Sequence, residues 1–157
     1  MADLYTRDEL VGARAKWREQ GKTVVFTNGC YDILHPGHIR LLERARSLGD
    51  VLVLALNTDD SVRRLKGPSR PLISQTERAA LAQELEAVDA VVHFDEDTPR
   101  ELIAAVLPDI LVKGADWSHF IAGREEVEAA GGQVMPLPLE PGHSTTNIVE
   151  EILRRGQ

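Results

Sequence analysis

The sequence predicts an α/β domain built on a doubly wound, five-stranded parallel sheet. Short apolar runs alternate with helical segments five times along the 157 residues. The runs are continuously apolar, as expected for strands that helices cover on both faces. No repeat, low-complexity tract or linker-like change of composition interrupts this alternation. A single domain is therefore expected over residues 1–157.

The five predicted strands are rich in β-branched and aliphatic residues, and turn-forming residues flank them. They are Thr23 to Thr27, Val51 to Leu56, Ala90 to Phe94, Ile110 to Val112 and Gln133 to Met135.

The predicted helices begin at recognisable capping signals. Capping boxes stand at 6–9, 74–77 and 98–101, and Pro36 suits the first position of a helix. The expected helices are 6–20, 36–49, a short turn after Asn57, 74–86, 98–106, Arg124 to Ala130, and a last helix from Ser144.

Composition and charge narrow the function classes. The chain has 18 basic and 25 acidic residues and a formal net charge of −7, which argues against non-specific nucleic-acid binding. Cys30 is the one cysteine, so no internal disulfide can form. No apolar run of about 18 residues is present, and the N-terminus lacks an apolar targeting region. The sequence thus predicts no membrane span and a cytoplasmic location.

The loop after the first predicted strand carries two histidines three residues apart. Ligands of doubly wound sheets bind beyond the carboxyl ends of the strands, where this loop lies. Residues three apart share a helix face, so His35 and His38 can point at one phosphate at the helix start. Gly37 and Gly29 remove side chains where a phosphate must come close. The pattern therefore predicts a phosphate site.

Three alternatives stay open for this loop. A zinc site would favour a spacing of four residues, and no convincing third ligand is present. A second alternative is that the histidines only cap the helix and pack locally. A general dinucleotide site is the third, but neither G-x-G-x-x-G nor G-x-x-x-x-G-K-[ST] follows a strand.

A basic cluster follows the second predicted strand. It is expected to be either a polyphosphate clamp or a solvated basic face. Its four members are Arg63, Arg64, Lys66 and Arg70. Asp59 and Asp60 are candidates for Mg²⁺ binding or for plain helix capping.

Two further segments end at the same predicted edge. The hydroxyls of Ser144, Thr145 and Thr146 can cap the last helix or cradle a second phosphate. The segment Lys113-Gly114-Ala115-Asp116 ends a buried strand, where a lysine can line a site or snorkel from the core. We interpret Cys30 as packing or as substrate lining, and His93 and His119 as structural.

Together these motifs carry a family resemblance. The order of His35-Pro36-Gly37-His38 and Ser144-Thr145-Thr146 on an alternating chain resembles the HxGH nucleotidyltransferases of the cytidylyltransferase-like superfamily, which have a Rossmann-like fold. Other stretches are similar to the D-glycero-β-D-manno-heptose 1-phosphate adenylyltransferase branch, over about residues 4 to 154. They are 26–32, 57–62, 65–67, 70–71, 97–99, 108–114 and 144–148. Because no kinase half is present, the free-standing form of that enzyme is expected.

The resemblance implies that ATP and heptose 1-phosphate give ADP-heptose, a glycan or lipopolysaccharide precursor, and pyrophosphate. Mg²⁺ would be the cofactor, held by ATP phosphates and not by protein side chains. The implied catalytic residues are His35, His38 and Lys66. The implied nucleotide-binding residues are Thr27, Asn28, Gly29, Cys30, Tyr31, Gly37, Lys113, Gly114, Asp116, Ser144, Thr145 and Thr146. The implied substrate-binding residues are Asp32, Asn57, Arg70 and Arg78, and Asp32 could instead orient a histidine.

The main rival within this fold is the glycerol-3-phosphate cytidylyltransferase family, which uses CTP. That family shows an RTxGISTT segment, but Leu139 stands at the arginine position and Asn147 follows Ser-Thr-Thr. The departure leaves open which cation contacts the triphosphate, and the candidates are Lys66, Arg70 and Arg78. A nucleotide sensor without turnover is the alternative from another functional class. Dimers are common in this fold family, so a homodimer is an option.

Overall fold

The computed structural model describes residues 1–114, 120–138 and 142–156. Over these residues the chain forms one parallel sheet with the strand order β1-β4-β3-β2-β5-β6. The strands are β1 (Asp3–Tyr5), β2 (Val24–Gly29), β3 (Val51–Asn57), β4 (Ala90–Phe94), β5 (Ile110–Gly114) and β6 (Gln133–Leu137). The predicted doubly wound fold is confirmed.

Helices connect the strands. Within the described ranges they are α1 (Arg7–Glu19), α2 (Pro36–Arg46), α3 (Asp59–Lys66), α4 (Gln75–Gln83), α5 (Arg100–Val106), α6 (Arg124–Ala129) and α7 (Thr145–Arg155).

The structure corrects the number of strands. The described residues form six strands and not five, because Asp3–Tyr5 pairs with β4 at the edge of the sheet. This strand has only three residues, and two of them are exposed, so no apolar run marks it in the sequence.

Four helices differ from their predicted bounds or caps. The expected capping box at 98–101 is absent, because Pro99 is the N-cap of α5 and its side chain makes no capping bond. Helix α2 ends at Arg46 and not at residue 49, and α4 ends at Gln83 and not at residue 86. The short turn expected after Asn57 is the eight-residue helix α3. The capping box at Thr6 is confirmed.

Two apolar layers cover the sheet. One face packs Leu10 of α1 and Leu102 of α5 against Phe26, and the other packs Leu42 of α2 and Ala79 of α4. The central strand β2 contributes to both layers, since successive residues point to opposite faces. This burial explains why the strands are continuously apolar.

The order of the strands places the candidate site. From β2 the chain proceeds outward through β3 to β4, whereas β5 and β6 lie on the other side of β2. The direction of winding thus reverses between β2 and β5, and such a switch point opens a crevice at the carboxyl ends of the strands. No helix within the described residues is long and apolar enough to cross a membrane.

Candidate active site

Two histidine rings lie face to face where β2 leads into α2. His35 is the N-cap of α2, and its Nδ1 accepts a hydrogen bond from the Gly37 N–H at 3.1 Å. The Nδ1 of His38 accepts from the His35 N–H at 3.3 Å, and the two ring centroids are 3.8 Å apart. Because each Nδ1 is an acceptor, each neutral ring carries its proton on Nε2. The pair therefore offers two N–H donors to a ligand.

The surroundings keep these rings neutral. Burial lowers the pKa of His38 to about 4, and the neighbouring His35 acts in the same direction. Burial also lowers the pKa of His35, with a contribution from His143. Tyr31 packs against His38 with centroids 4.6 Å apart. The donors at this helix start are thus uncharged before a ligand binds.

The glycines of this loop are required by close contacts. A Cβ on Gly37 would lie 2.9 Å from the His35 ring and 3.0 Å from the Cβ of His143. A Cβ on Gly29 would lie 2.7 Å from the ring of Tyr31, which folds back with a φ of 49°. The space beside Gly29 is thus filled by Tyr31, and the space beside Gly37 is filled by His35 and by His143 of the C-terminal segment.

Asp32 connects this loop to the segment after α3. Its side chain is buried and accepts from the Arg70 Nε at 2.7 Å and from the Leu72 and Ile73 N–H groups. Burial alone would raise the pKa of Asp32, but these bonds outweigh it and hold the pKa below its usual value. Asp32 therefore anchors a loop, with Arg70 as its ion-pair partner, and a contact of either residue with substrate stays a prediction.

Arg78 and Asn57 are also structural in this arrangement. The side chain of Arg78 is fully buried and donates to Asp59 and to the carbonyls of Ile73, Cys30 and Asn57. Asn57 is buried and donates to the Ser61 hydroxyl at 3.0 Å. Their polar atoms join the ends of β2 and β3, and substrate binding by either residue stays a prediction.

The crevice between β2 and β5 contains a lysine. Lys113 at the end of β5 donates to the Asn28 side chain at the end of β2. Burial lowers the pKa of Lys113 to about 8. The Thr27 hydroxyl donates to the Val112 carbonyl at 3.2 Å, so it ties the two strands together. Gly114 ends β5, and the predicted residue Asp116 lies outside the described residues.

The basic cluster divides into two parts. Arg63 and Arg64 lie on α3 and form exposed ion pairs with Asp60 and Asp97, as a solvated face would. Lys66 is exposed at the last position of α3. Burial raises the pKa of the Cys30 thiol, while Lys66, Arg70 and Arg78 act in the opposite direction. Lys66 therefore lies close enough to the loop after β2 to act on Cys30. The other three members of the predicted clamp are paired with carboxylates, so fewer cations are available to a polyphosphate.

The C-terminal segment meets the histidine loop. The Ser144 hydroxyl accepts from the Asn147 N–H at 2.9 Å and caps α7, while the Thr145 hydroxyl donates to the Ile33 carbonyl at 3.2 Å. Thr146 is exposed in the first turn. Two of the three predicted phosphate-binding hydroxyls thus have structural bonds.

Sequence reasoning missed His143. Its ring is parallel to that of His35 within 16°, with centroids 6.1 Å apart. The available signal was its place directly before Ser-Thr-Thr, since the two motifs were expected to share one site. The structure thus brings three imidazoles, Lys66 and the start of α7 to one edge of the sheet, an arrangement that suits an extended anion.

A family and several known proteins match this chain. A family described as cytidylyltransferase-like matches residues 26–151. The chain is similar to "Bifunctional protein HldE" of Syntrophotalea carbinolica, with 59% identity over 139 residues. That match covers 88% of this chain and 28% of the relative. The protein of the same name from Geobacter sulfurreducens is 54% identical over 154 residues, covering 98% of this chain and 31% of the relative.

One solved structure is also similar. The lipopolysaccharide core biosynthesis protein from Thermoplasma volcanium has a TM-score of 0.64 and 28% identity, covering 76% of this chain and all of that one. The chain spans about 30% of the length of the curated relatives it matches. The chain belongs to the cytidylyltransferase-like family of nucleotidyltransferase enzymes.

Proposed function

We propose that this chain transfers the adenylyl group of ATP to D-glycero-β-D-manno-heptose 1-phosphate and releases pyrophosphate. The observation that carries the proposal is the pair of neutral imidazoles at the start of α2, whose Nδ1 atoms are occupied and whose Nε2–H groups remain as donors. The motifs of the heptose branch and the similarity to proteins named HldE support the choice of substrates. The product would serve as a precursor for lipopolysaccharide or another glycan.

The reaction needs no side-chain nucleophile. An oxygen of the sugar phosphate, already anionic at neutral pH, attacks the α-phosphorus of ATP in line. One P–O bond forms as the bond from the α-phosphorus to the bridging oxygen breaks, and pyrophosphate leaves with that oxygen. Catalysis then consists of positioning and of stabilising charge on the α-phosphate and the leaving group.

Each group of site residues has its own role in the proposed reaction. His35 and His38 donate to the α-phosphate in the transition state, and Lys66 neutralises charge from the end of α3. The first turn of α7, with Thr146 exposed, faces the β- and γ-phosphates. The crevice around Lys113 and Asn28 receives the nucleotide or the sugar.

Mg²⁺ belongs to the proposal as an ion carried by the phosphates of ATP, where it neutralises charge. The two carboxylates considered for metal binding are engaged, because Asp59 pairs with Arg78 and Asp60 pairs with Arg63. The proposal leaves both carboxylates with these partners and does not use them as Mg²⁺ ligands. A cytoplasmic location and a homodimer stay predictions from the sequence.

The test is pyrophosphate release with β-heptose 1-phosphate and Mg²⁺, run in parallel with ATP, CTP and GTP. The α-anomer and glycerol 3-phosphate serve as alternative acceptors. We expect release with ATP and the β-anomer. Release only with CTP and glycerol 3-phosphate would overturn the substrates, whereas ATP binding without release under any condition would indicate a sensor.

A further inference from the structure

We propose that His143 is a further substrate-binding residue and that it contacts the pyrophosphate portion of ATP. The inference rests on the proposed function, because it extends the phosphate site that the HxGH pair begins. It starts from the order of three imidazole rings. His35 lies between His38, at a centroid distance of 3.8 Å, and His143, at 6.1 Å.

The backbone of His143 lies close to the histidine loop. Two residues further on, Thr145 donates to the Ile33 carbonyl, two residues before His35. Gly37 lets the segments approach, since a Cβ there would lie 3.0 Å from the Cβ of His143. The backbone thus brings this exposed ring to the histidine loop.

The space beside these rings suits an anion. A cavity of about 350 Å³ is lined by His35, His143, Ser144 and Asn147, and further along α7 by Ile152 and Arg155. Glu151 also lines it, but both Arg154 and Arg155 are bonded to this carboxylate. The acidic charge is therefore compensated, and imidazole, hydroxyl and amide donors remain.

The order of the rings assigns the contact. If the α-phosphate lies at His35 and His38, the next phosphates continue along the row towards His143 and the start of α7. We place the contact of His143 on a β- or γ-phosphate oxygen, which pyrophosphate also has, and not on the α-phosphate, which is the one phosphate of AMP. His143 would thus affect binding of the leaving group and leave the acceptor sugar unaffected.

The experiment compares wild type with His143→Ala and His143→Gln in four measurements. These are KM for ATP, KM for the sugar phosphate, inhibition by inorganic pyrophosphate, and inhibition by AMP. For His143→Ala we expect about tenfold weaker ATP and pyrophosphate binding, the low end for one hydrogen bond to a charged group. AMP inhibition and KM for the sugar phosphate should stay within about twofold of the wild-type values, which is a small change in binding free energy. His143→Gln, which keeps an N–H donor, should recover most of the loss.

Two results would overturn the inference. One is unchanged ATP and pyrophosphate binding in His143→Ala, and the other is an equal loss for AMP, which would indicate general distortion of the site. Gln20→Ala is the control for effects of expression and purification, because this residue is exposed at the end of α1. If wild type releases no pyrophosphate with any nucleotide, the proposed function fails. Direct binding of pyrophosphate to wild type and variants then still tests His143.

Discussion

Two segments bring donor groups to the candidate phosphate site, and they are attached to the fold in opposite ways. The first is β2 with the start of α2, in the middle of the sheet, where Val24, Val25 and Phe26 are completely buried. The second is α7, which has no buried residue and whose first turn bonds to the Ile33 carbonyl through Thr145. One segment is part of the core, and the other rests on the surface.

This difference suggests that one segment acts in the chemical step and the other in binding the phosphates. Donors that are already fixed stabilise a transition state without reorganisation, so the core-mounted histidines suit the chemical step. An element with few buried contacts opens at low free-energy cost, so α7 suits adjustable binding of the phosphates that leave. Changes in the first segment should lower kcat, and changes in the second should raise KM. The predictions below test this comparison.

The largest effect is expected for His38→Ala. Removing one preorganised donor to developing charge lowers kcat by roughly 10²–10³-fold, with a smaller change in KM for ATP. The measurement is steady-state pyrophosphate release, with the thermal midpoint as a check on folding. His93→Gln is a matched control, since His93 contacts the Gln75 carbonyl and takes no part in the proposed reaction. Full turnover in His38→Ala would refute the assigned mechanism.

The second prediction concerns the anchor beneath the histidine loop. In Asp32→Asn an NH₂ donor replaces one carboxylate oxygen. The side chain can then no longer accept the hydrogen bonds of Arg70, Leu72 and Ile73 at the same time. We expect a loss of about 2–3 kcal/mol in the free energy of unfolding, measured by denaturant titration.

The matched variant is Arg70→Met. It leaves the buried carboxylate of Asp32 with its two backbone donors but without its cation. We therefore expect a loss of about 3 kcal/mol, at least as large as that of Asp32→Asn. Equal stability of wild type and Asp32→Asn would show that this carboxylate is not part of the rigid half of the site.

The sequence predicts the rigid half better than the attached half, for physical reasons. Continuous apolar runs identify β2 and β3 because both faces are buried, whereas β1 has three residues and no such pattern. The histidine spacing predicts a shared site because His35 and His38 are the N-cap and the third residue of one helix and are therefore close together. In contrast, whether a basic side chain is available to a ligand depends on carbonyl groups that distant segments of the chain bring to it. Arg78 has the charge expected of a phosphate ligand. Its guanidinium instead donates to the carbonyls of Cys30 and Asn57, which lie 48 and 21 positions away along the chain.

The third prediction is a pH dependence of stability that comes from the rigid half. Burial lowers the pKa of His38 to about 4 in the folded chain, against about 6.5 unfolded. Between these values the unfolded state binds more protons, so this stabilisation is fully present above about pH 6.5 and is lost as the pH falls towards 4. After solvent screening we expect a contribution on the order of 1–2 kcal/mol.

The measurement is the free energy of unfolding of wild type and His38→Gln from pH 7.5 down to 4.5. The wild type should lose more stability than the variant over this range. Parallel curves would mean that His38 is not held neutral by its surroundings. Thr145→Val should follow the wild-type curve, because it leaves the histidine pair in place.

The smallest effect is expected for Thr145→Val in the attached half. The variant loses the O–H donor to the Ile33 carbonyl but keeps the shape of the side chain. Water can replace the donor at this partly exposed site, so the free energy of unfolding should fall by less than about 1 kcal/mol. Because α7 is then less firmly placed, KM for ATP should rise by about three- to fivefold, equivalent to less than about 1 kcal/mol. Thr145→Ser keeps the hydroxyl and should behave like wild type. A fall in kcat as large as that of His38→Ala would show that α7 takes part in the chemical step, and the division between the two segments would no longer hold.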